Sequence, residues 1–310
     1  MIVTVTLNAS IDKAYYLDSP IIDGTVHRVS VVSNSAGGKG LNASRAIATL
    51  NYPLCATGFV GGNNGRYLID LARQDNITCN FTKIKQETRS CINIIEPNRS
   101  STEFLEPGQP VTQEEFLAFK TNFSQLINKA EVITFNGSIP KGISAQDYKE
   151  LIADAQSAKI PCIVDTSGAL LTTCIGALPT MIKPNTDEIG QLLGRTVSSE
   201  SDVIQAAQDI HKRGVKIVVV SLGSKGALMV SDEGTFKAQT PKIDVVNPVG
   251  AGDTLVGSFA VALAQHKTTS ECLVFAMSCA TASCLSIGTG RFDPVIASKI
   301  EKQITIQKLP

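Results

Sequence analysis

An excess of charge of either sign, clustered cysteines, paired histidines and long apolar runs are all missing from this chain of 310 residues. Lysine plus arginine number 28 and aspartate plus glutamate 28, so the net charge is zero. Nothing in that balance favours nucleic acid or an anionic membrane, and neither is expected as a partner. The eight cysteines are scattered without a C-x-x-C spacing, which speaks against a zinc ribbon or a disulfide framework. They read as reduced, mostly buried thiols in a cytoplasmic setting. His27, His211 and His266 share no spacing, so a histidine triad or metal site is not expected. The longest aliphatic runs, such as residues 217–220, are strand-length and far too short for a bilayer. The opening residues 1–7 carry no basic segment and no cleavage site, and no signal peptide is expected. Two phosphate signatures are absent as well. Gly37-Gly38-Lys39-Gly40 lacks the spacing and the hydroxyl of a Walker A loop, and no G-x-G-x-x-G follows the first strand.

What is present is an apolar fraction of 43% and a regular rhythm, which suit one large α/β domain with an appended piece. Strands are predicted at residues 2–7, 54–60, 132–136, 162–165, 180–182, 216–220 and 242–246. Helices are predicted at 66–74, 253–265 and 270–287, and one fed by the glycine turn in residues 36–45 and running to about 50. Phe116, Phe119, Phe123, Leu126 and Ile127 mark another helix by their spacing, and Ser144 with Asp147 caps the next. Buried strands alternating with helices imply a parallel sheet covered on both faces. Residues 13–35 and 87–107 break this rhythm with interleaved polar and aliphatic positions, including a hairpin whose loop is residues 96–101. Together they would form a small separate sheet.

Ligands in such sheets bind beyond the carboxyl ends of the strands, and the polar motifs fall there. These are residues 8–12, 137–138, 165–168, 183–185, 221–223 and 250–253. In Asn247-Pro248-Val249-Gly250-Ala251-Gly252-Asp253, two glycines and one carboxylate open a helix. Backbone N–H groups there can converge on an anion, with the helix dipole adding to them. A carboxylate beside an anion site is badly placed unless it takes a proton, a combination that suits phosphoryl transfer. An ordinary Gly-rich turn would read the same way. Lys183-Pro184-Asn185-Thr186-Asp187-Glu188 sets a cation, an amide and two carboxylates at one strand–helix junction. Lys183 would lie near nucleotide phosphates, with Asn185 and Glu188 holding magnesium through water; a Thr186 helix cap is the plainer account. Glycines in Ser221-Leu222-Gly223-Ser224-Lys225-Gly226 permit close approach of a ligand or simply a tight turn. Asp12, Gly38, Lys39, Asn42, Arg89 and, more weakly, Ser138 are candidates for a polyol or sugar phosphate. Lys39 and Arg89 as solvated surface charges are the alternative.

The order and separation of three motifs carry a resemblance over nearly the full length. They are Gly37-Gly38-Lys39-Gly40-Leu41-Asn42, Lys183-Pro184-Asn185-Thr186-Asp187-Glu188 and Asn247-Pro248-Val249-Gly250-Ala251-Gly252-Asp253. The chain resembles the PfkB (ribokinase-like) carbohydrate kinases, and within them the tagatose-6-phosphate kinase and 1-phosphofructokinase branch. The resemblance implies a three-layer α/β domain with a mostly parallel central sheet and a small β-sheet lid. It implies an ATP- and magnesium-dependent kinase that converts a ketohexose monophosphate to the bisphosphate. Asp253 would be the base, and Gly250, Ala251 and Gly252 would complete the anion hole with it. By the same resemblance Lys183, Asn185, Ser221, Gly223, Gly226, Gly250 and Gly252 would serve ATP. Asn185 and Glu188 would serve magnesium, while Asp12, Gly38, Lys39, Asn42, Arg89 and Ser138 would hold the sugar phosphate. Lids in this family often pair, so a homodimer is implied. Ala9, Ala251 and Ser258 depart from the usual pattern, as does residues 288–293, which keeps Thr289-Gly290 but lacks a following asparagine. Two other readings stand beside this one: a kinase of an unphosphorylated sugar or nucleoside, and a non-catalytic binding protein on the same fold.

Overall fold

The computed structural model describes residues 1–97 and 100–309. In chain order the first elements are β1 (Ile2–Thr6), β2 (Ser10–Tyr16), β3 (Val31–Gly37), α1 (Lys39–Thr49), β4 (Leu54–Gly61) and α2 (Gly62–Gln74). Then come β5 (Thr82–Ile84), β6 (Arg89–Ile95), β7 (Ser101–Leu105), α3 (Gln113–Ile127), β8 (Val132–Asn136), α4 (Ala145–Ser157), β9 (Cys162–Asp165) and α5 (Gly168–Ile175). The second half adds β10 (Met181–Ile182), α6 (Thr186–Leu193), α7 (Glu200–Lys212), β11 (Ile217–Ser221), β12 (Ala227–Ser231) and β13 (Gly234–Gln239). It closes with α8 (Ala251–Ala264), α9 (Thr269–Ser283), α10 (Pro294–Glu301) and β14 (Thr305–Leu309).

Ten strands form one sheet in the order β14-β13-β12-β11-β10-β9-β8-β1-β4-β5. Pairing is parallel from β11 to β5 and antiparallel from β11 to β14. Side chains alternate across a strand, so one strand feeds two cores. Val3 and Val5 of β1 join α3, α4, α5, α6 and α7 on one face. Ile2 joins α1, α2, α8 and α9 on the other. The first face holds a run of rings in which Phe119 lies 5.0 Å from Phe59 and 5.7 Å from Phe123, centroid to centroid. The helical spacing of α3 thus packs as its sequence predicts. A second sheet has four strands in the order β3-β2-β6-β7. Asn98 and Arg99, in the loop expected between β6 and β7, lie outside the described residues.

Four local expectations are corrected. Residues 242–246 form no strand, and α9 ends at Ser283 rather than 287. One contact accounts for both, because the Cys284 carbonyl accepts from Val246 N at 2.8 Å and Asn247 N at 3.1 Å. The extended segment is therefore tied to a helix end instead of a neighbouring strand. Helix α2 begins at Gly62, inside a stretch whose glycines and asparagines suggest a turn. The Glu87 carboxylate, remote in sequence, accepts from the Asn64 N–H, and Asn64 Nδ2 donates to the Thr88 carbonyl at 2.9 Å. Those long-range bonds satisfy the first turn that local sequence leaves open. Finally, Asn185 and not Thr186 caps α6. Its Oδ1 accepts from Glu188 N at 2.8 Å while Glu188 Oε2 accepts from Asn185 N at 2.8 Å.

Candidate active site

A cleft of about 780 Å³ opens between the two sheets. Its walls include Asp12, Gly38, Lys39, Asn42, Arg89, Ser138, Gly250 and Asp253. The sugar-side candidates are thereby brought to one space with Gly250 and Asp253, whereas Ala251 and Gly252 do not line it. Lys183, Asn185, Glu188, Ser221, Gly223 and Gly226 do not line it. They gather beside it instead, where Asn185 bridges Ser221 and Ser221 N donates to the Pro184 carbonyl at 3.1 Å.

The centre is the start of α8. Gly250 takes the left-handed conformation with φ 81°, and a Cβ there would press on Thr289. Among the described residues no side chain caps this helix, so its first N–H groups face outward with the positive end of the dipole. Ala251 is the exception among them, since its N–H donates to the Pro248 carbonyl at 3.3 Å. A Cβ on Gly252 would crowd the Lys183 ammonium at 3.2 Å, so this glycine lets the lysine reach the helix end. Asp253 is 8% exposed, and its Oδ2 accepts from Asn42 Nδ2 at 2.8 Å.

Asp165, at the end of β9, belongs to the strand-end stretch 165–168, to which the sequence assigns no role. It is 1% exposed and lies between two ammonium groups, 3.3 Å from Lys183 Nζ and 3.6 Å from Lys39 Nζ. Only its place after a buried strand marks it in the sequence. Burial first, and then repulsion from Asp165, push the Asp253 carboxyl up to about 6, against the pull of Asn42, Lys39 and Lys183. Burial works against the Lys39 ammonium, but Asp165, Asp253 and Glu188 outweigh it and raise its pKa. Burial also raises the pKa of Asp12, whose Oδ1 accepts from Ser10 Oγ at 2.6 Å. The Arg89 guanidinium donates to the Asn8 carbonyl at 2.9 Å and the Glu106 carbonyl at 2.8 Å. No salt bridge ties it to a carboxylate among the described residues, although its charge acts on the nearby Asp12 carboxyl, and it faces the same cleft. Ser138 Oγ accepts from Asn8 Nδ2 at 3.0 Å.

The profile of the pfkB family carbohydrate kinases matches residues 5–295. The chain belongs to that family. Solved structures agree with this membership. An Escherichia coli phosphofructokinase-2 structure with potassium is 29% identical, covers 97% of this chain and 98% of its own, and has a TM-score of 0.90. A Thermotoga maritima protein provisionally assigned as a 1-phosphofructokinase is 27% identical, covers 100% of both chains, and has a TM-score of 0.91. A Staphylococcus aureus protein, provisionally a phosphofructokinase, is 31% identical over 100% of this chain and 99% of its own, with a TM-score of 0.83. As a pfkB family carbohydrate kinase, the chain is an enzyme that transfers a phosphoryl group to a sugar hydroxyl.

Magnesium is the metal such chemistry implies. No cluster of three acidic, histidine or cysteine side chains exists among the described residues. The donors near Lys183 fit a strongly hydrated ion all the same. The capping bond to Asn185 uses Oε2 of Glu188 and leaves Oε1 free of it. Magnesium keeps most of its waters and needs few protein ligands.

Proposed function

We propose that this enzyme uses ATP to phosphorylate a ketohexose monophosphate to the bisphosphate, as a tagatose-6-phosphate kinase or 1-phosphofructokinase does. The observation that carries the reading is Asp253, a buried carboxylate in the first turn of an uncapped helix on the cleft floor. Asp253 takes the proton of the attacking hydroxyl, and the N–H groups of α8 face the transferring phosphoryl group. Lys183 adds positive charge at the same helix end. Magnesium, when bound through water by Asn185 and Glu188, neutralises charge on the nucleotide phosphates. The turn from Ser221 to Gly226 borders the nucleotide.

Lys39 and Arg89 support a substrate that already carries a phosphate, since a neutral sugar or nucleoside does not need two cations in its cleft. Asp12 and Asn42 suit sugar hydroxyls, with Gly38, Lys39 and Ser138 completing that wall. The four-stranded sheet, from the two insertions about 13–35 and 87–107, serves as the lid of a single kinase domain. It also supplies the contact of a homodimer. Free, mostly buried cysteines fit a reducing cytoplasm.

Coupled ADP release with fructose and tagatose 1- and 6-phosphates, alongside the free sugars, tests the reading. Turnover is expected with a ketohexose monophosphate. Asp253→Asn keeps the shape and should lower kcat by roughly 10²–10⁴ with little change in substrate affinity. Full activity in that variant would overturn the assignment of the base, and absence of turnover with every phosphosugar would favour a binding protein on the same fold.

A further inference from the structure

We infer that Arg45, buried one turn beyond Asn42 on α1, is a positioning residue that aims the Asn42 amide at Asp253 and holds the 288–291 loop against α1. The inference rests on the proposed role of Asp253 as base. Arg45 is only 2% exposed, an unusual place for a guanidinium, and its donors are spread over four partners. Nε donates to Asp75 Oδ2 at 2.6 Å, and Nη2 donates to the Ala36 carbonyl. Nη1 donates to Asn42 Oδ1 at 2.8 Å and to the Thr289 carbonyl at 2.9 Å. Arg291 pairs with the other oxygen of Asp75, so the buried carboxylate bears two cations.

The bond to Asn42 has a chemical consequence. A carboxamide can present either its oxygen or its NH2 to a neighbour. Presented oxygen-first to Asp253, Asn42 would set two acceptors against each other. Arg45 Nη1 and Thr289 Oγ1, the latter donating at 3.2 Å, both claim the Oδ1 end. The NH2 end is left facing Asp253, where it donates at 2.8 Å. Gly290 seats the loop that carries Thr289. A Cβ at this position would run into the Asn42 carbonyl and approach Arg45 Cβ at 3.2 Å. Arg45 therefore joins the sugar-side helix to the loop behind Gly250 and acts on the carboxylate through one intervening amide. The charged groups facing Asp253 directly are Lys39 from α1, Asp165 from the end of β9 and Lys183 from the end of β10.

Arg45→Lys keeps a cation for Asp75 but loses the fork that reaches Asn42 and Thr289 together. We expect kcat to fall roughly 10–100-fold, with KM for ATP and sugar phosphate changing less than about 3-fold. The acid limb of the kcat–pH profile should move up by as much as about one unit, because Asp253 loses a donor that favours its ionised form. In an Asn42→Ala background the same Arg45→Lys change should cost no further kcat, since the intermediary is gone. Thr289→Val removes the second donor to Asn42 and a weak acceptor of Arg45 Nη1 at 3.3 Å, and leaves the ion pairs and the bond to the Thr289 carbonyl intact; it should shift the acid limb in the same direction, and decides the matter if Arg45→Lys does not fold. Additive losses in the Asn42→Ala background, or an acid limb that stays in place in Thr289→Val and in a folded Arg45→Lys, would overturn the inference. Full activity of Asp253→Asn would instead remove the base on which it rests.

Discussion

Asp253 sits where burial and Asp165 both oppose its charge, and two lysines and an amide favour it. With its pKa raised to about 6, the base is ionised above that value and protonated below it. The acid limb of kcat/KM for the free enzyme should therefore bend near pH 6 and fall tenfold per unit beneath it. Asp165→Asn removes a negative neighbour, so the limb should shift to lower pH in a measured pH–rate profile. A limb that stays fixed would remove Asp165 as its cause. At this scale the sequence shows some groups and hides others. Asp253 is legible because two glycines and a helix start surround it, a local pattern with a local meaning. Asp165 closes an apolar strand with no partner nearby in the chain, and only folding places it between Lys39 and Lys183. Arg45 is hidden for the same reason, since its partners Asp75 and Thr289 lie on other elements.

Helix α3 is legible at the element scale because its phenylalanines recur at helical spacing, and periodicity survives any tertiary context. Removing Phe119, fully buried between Phe59, Phe116 and Phe123, should cost about 3–5 kcal/mol through lost burial and the cavity left behind. Urea unfolding of Phe119→Ala measures this, and the change should leave KM close to the parent value. The start of α2 and the segment before Gly250 were not legible. Glu87 provides for the first, and the Cys284 carbonyl holds the second, so in both cases the deciding hydrogen bond comes from far along the chain. Ile243, Val245 and Val246 make residues 242–246 look like a strand, yet Val245 and Val246 are 47% and 37% exposed. β-propensity without an adjacent edge leaves an extended segment and no ladder.

At the scale of the whole molecule, alternation of strands and helices made the parallel sheet readable, and the break in that rhythm marked the four-stranded one. Strand order was not readable, because pairing depends on faces and connections that short apolar runs do not encode. On the edge strands of the small sheet, Val31, Val32, Phe104 and Leu105 are 56%, 53%, 57% and 64% exposed. If that sheet pairs with a second copy, sedimentation should show a dimer, and Phe104→Asp should shift it toward monomer. A parent enzyme that sediments as a monomer would end the proposal.

The bond from Asn42 to Asp253 spans 211 positions of chain. Closing so long a loop is slow to be rewarded, and contacts of this kind come late in folding. Helical signal should therefore return early when the denatured enzyme is diluted into buffer, with turnover lagging behind it. In that interval the chain should carry most of its helices without turnover, if docking of α8 against α1 is the late step.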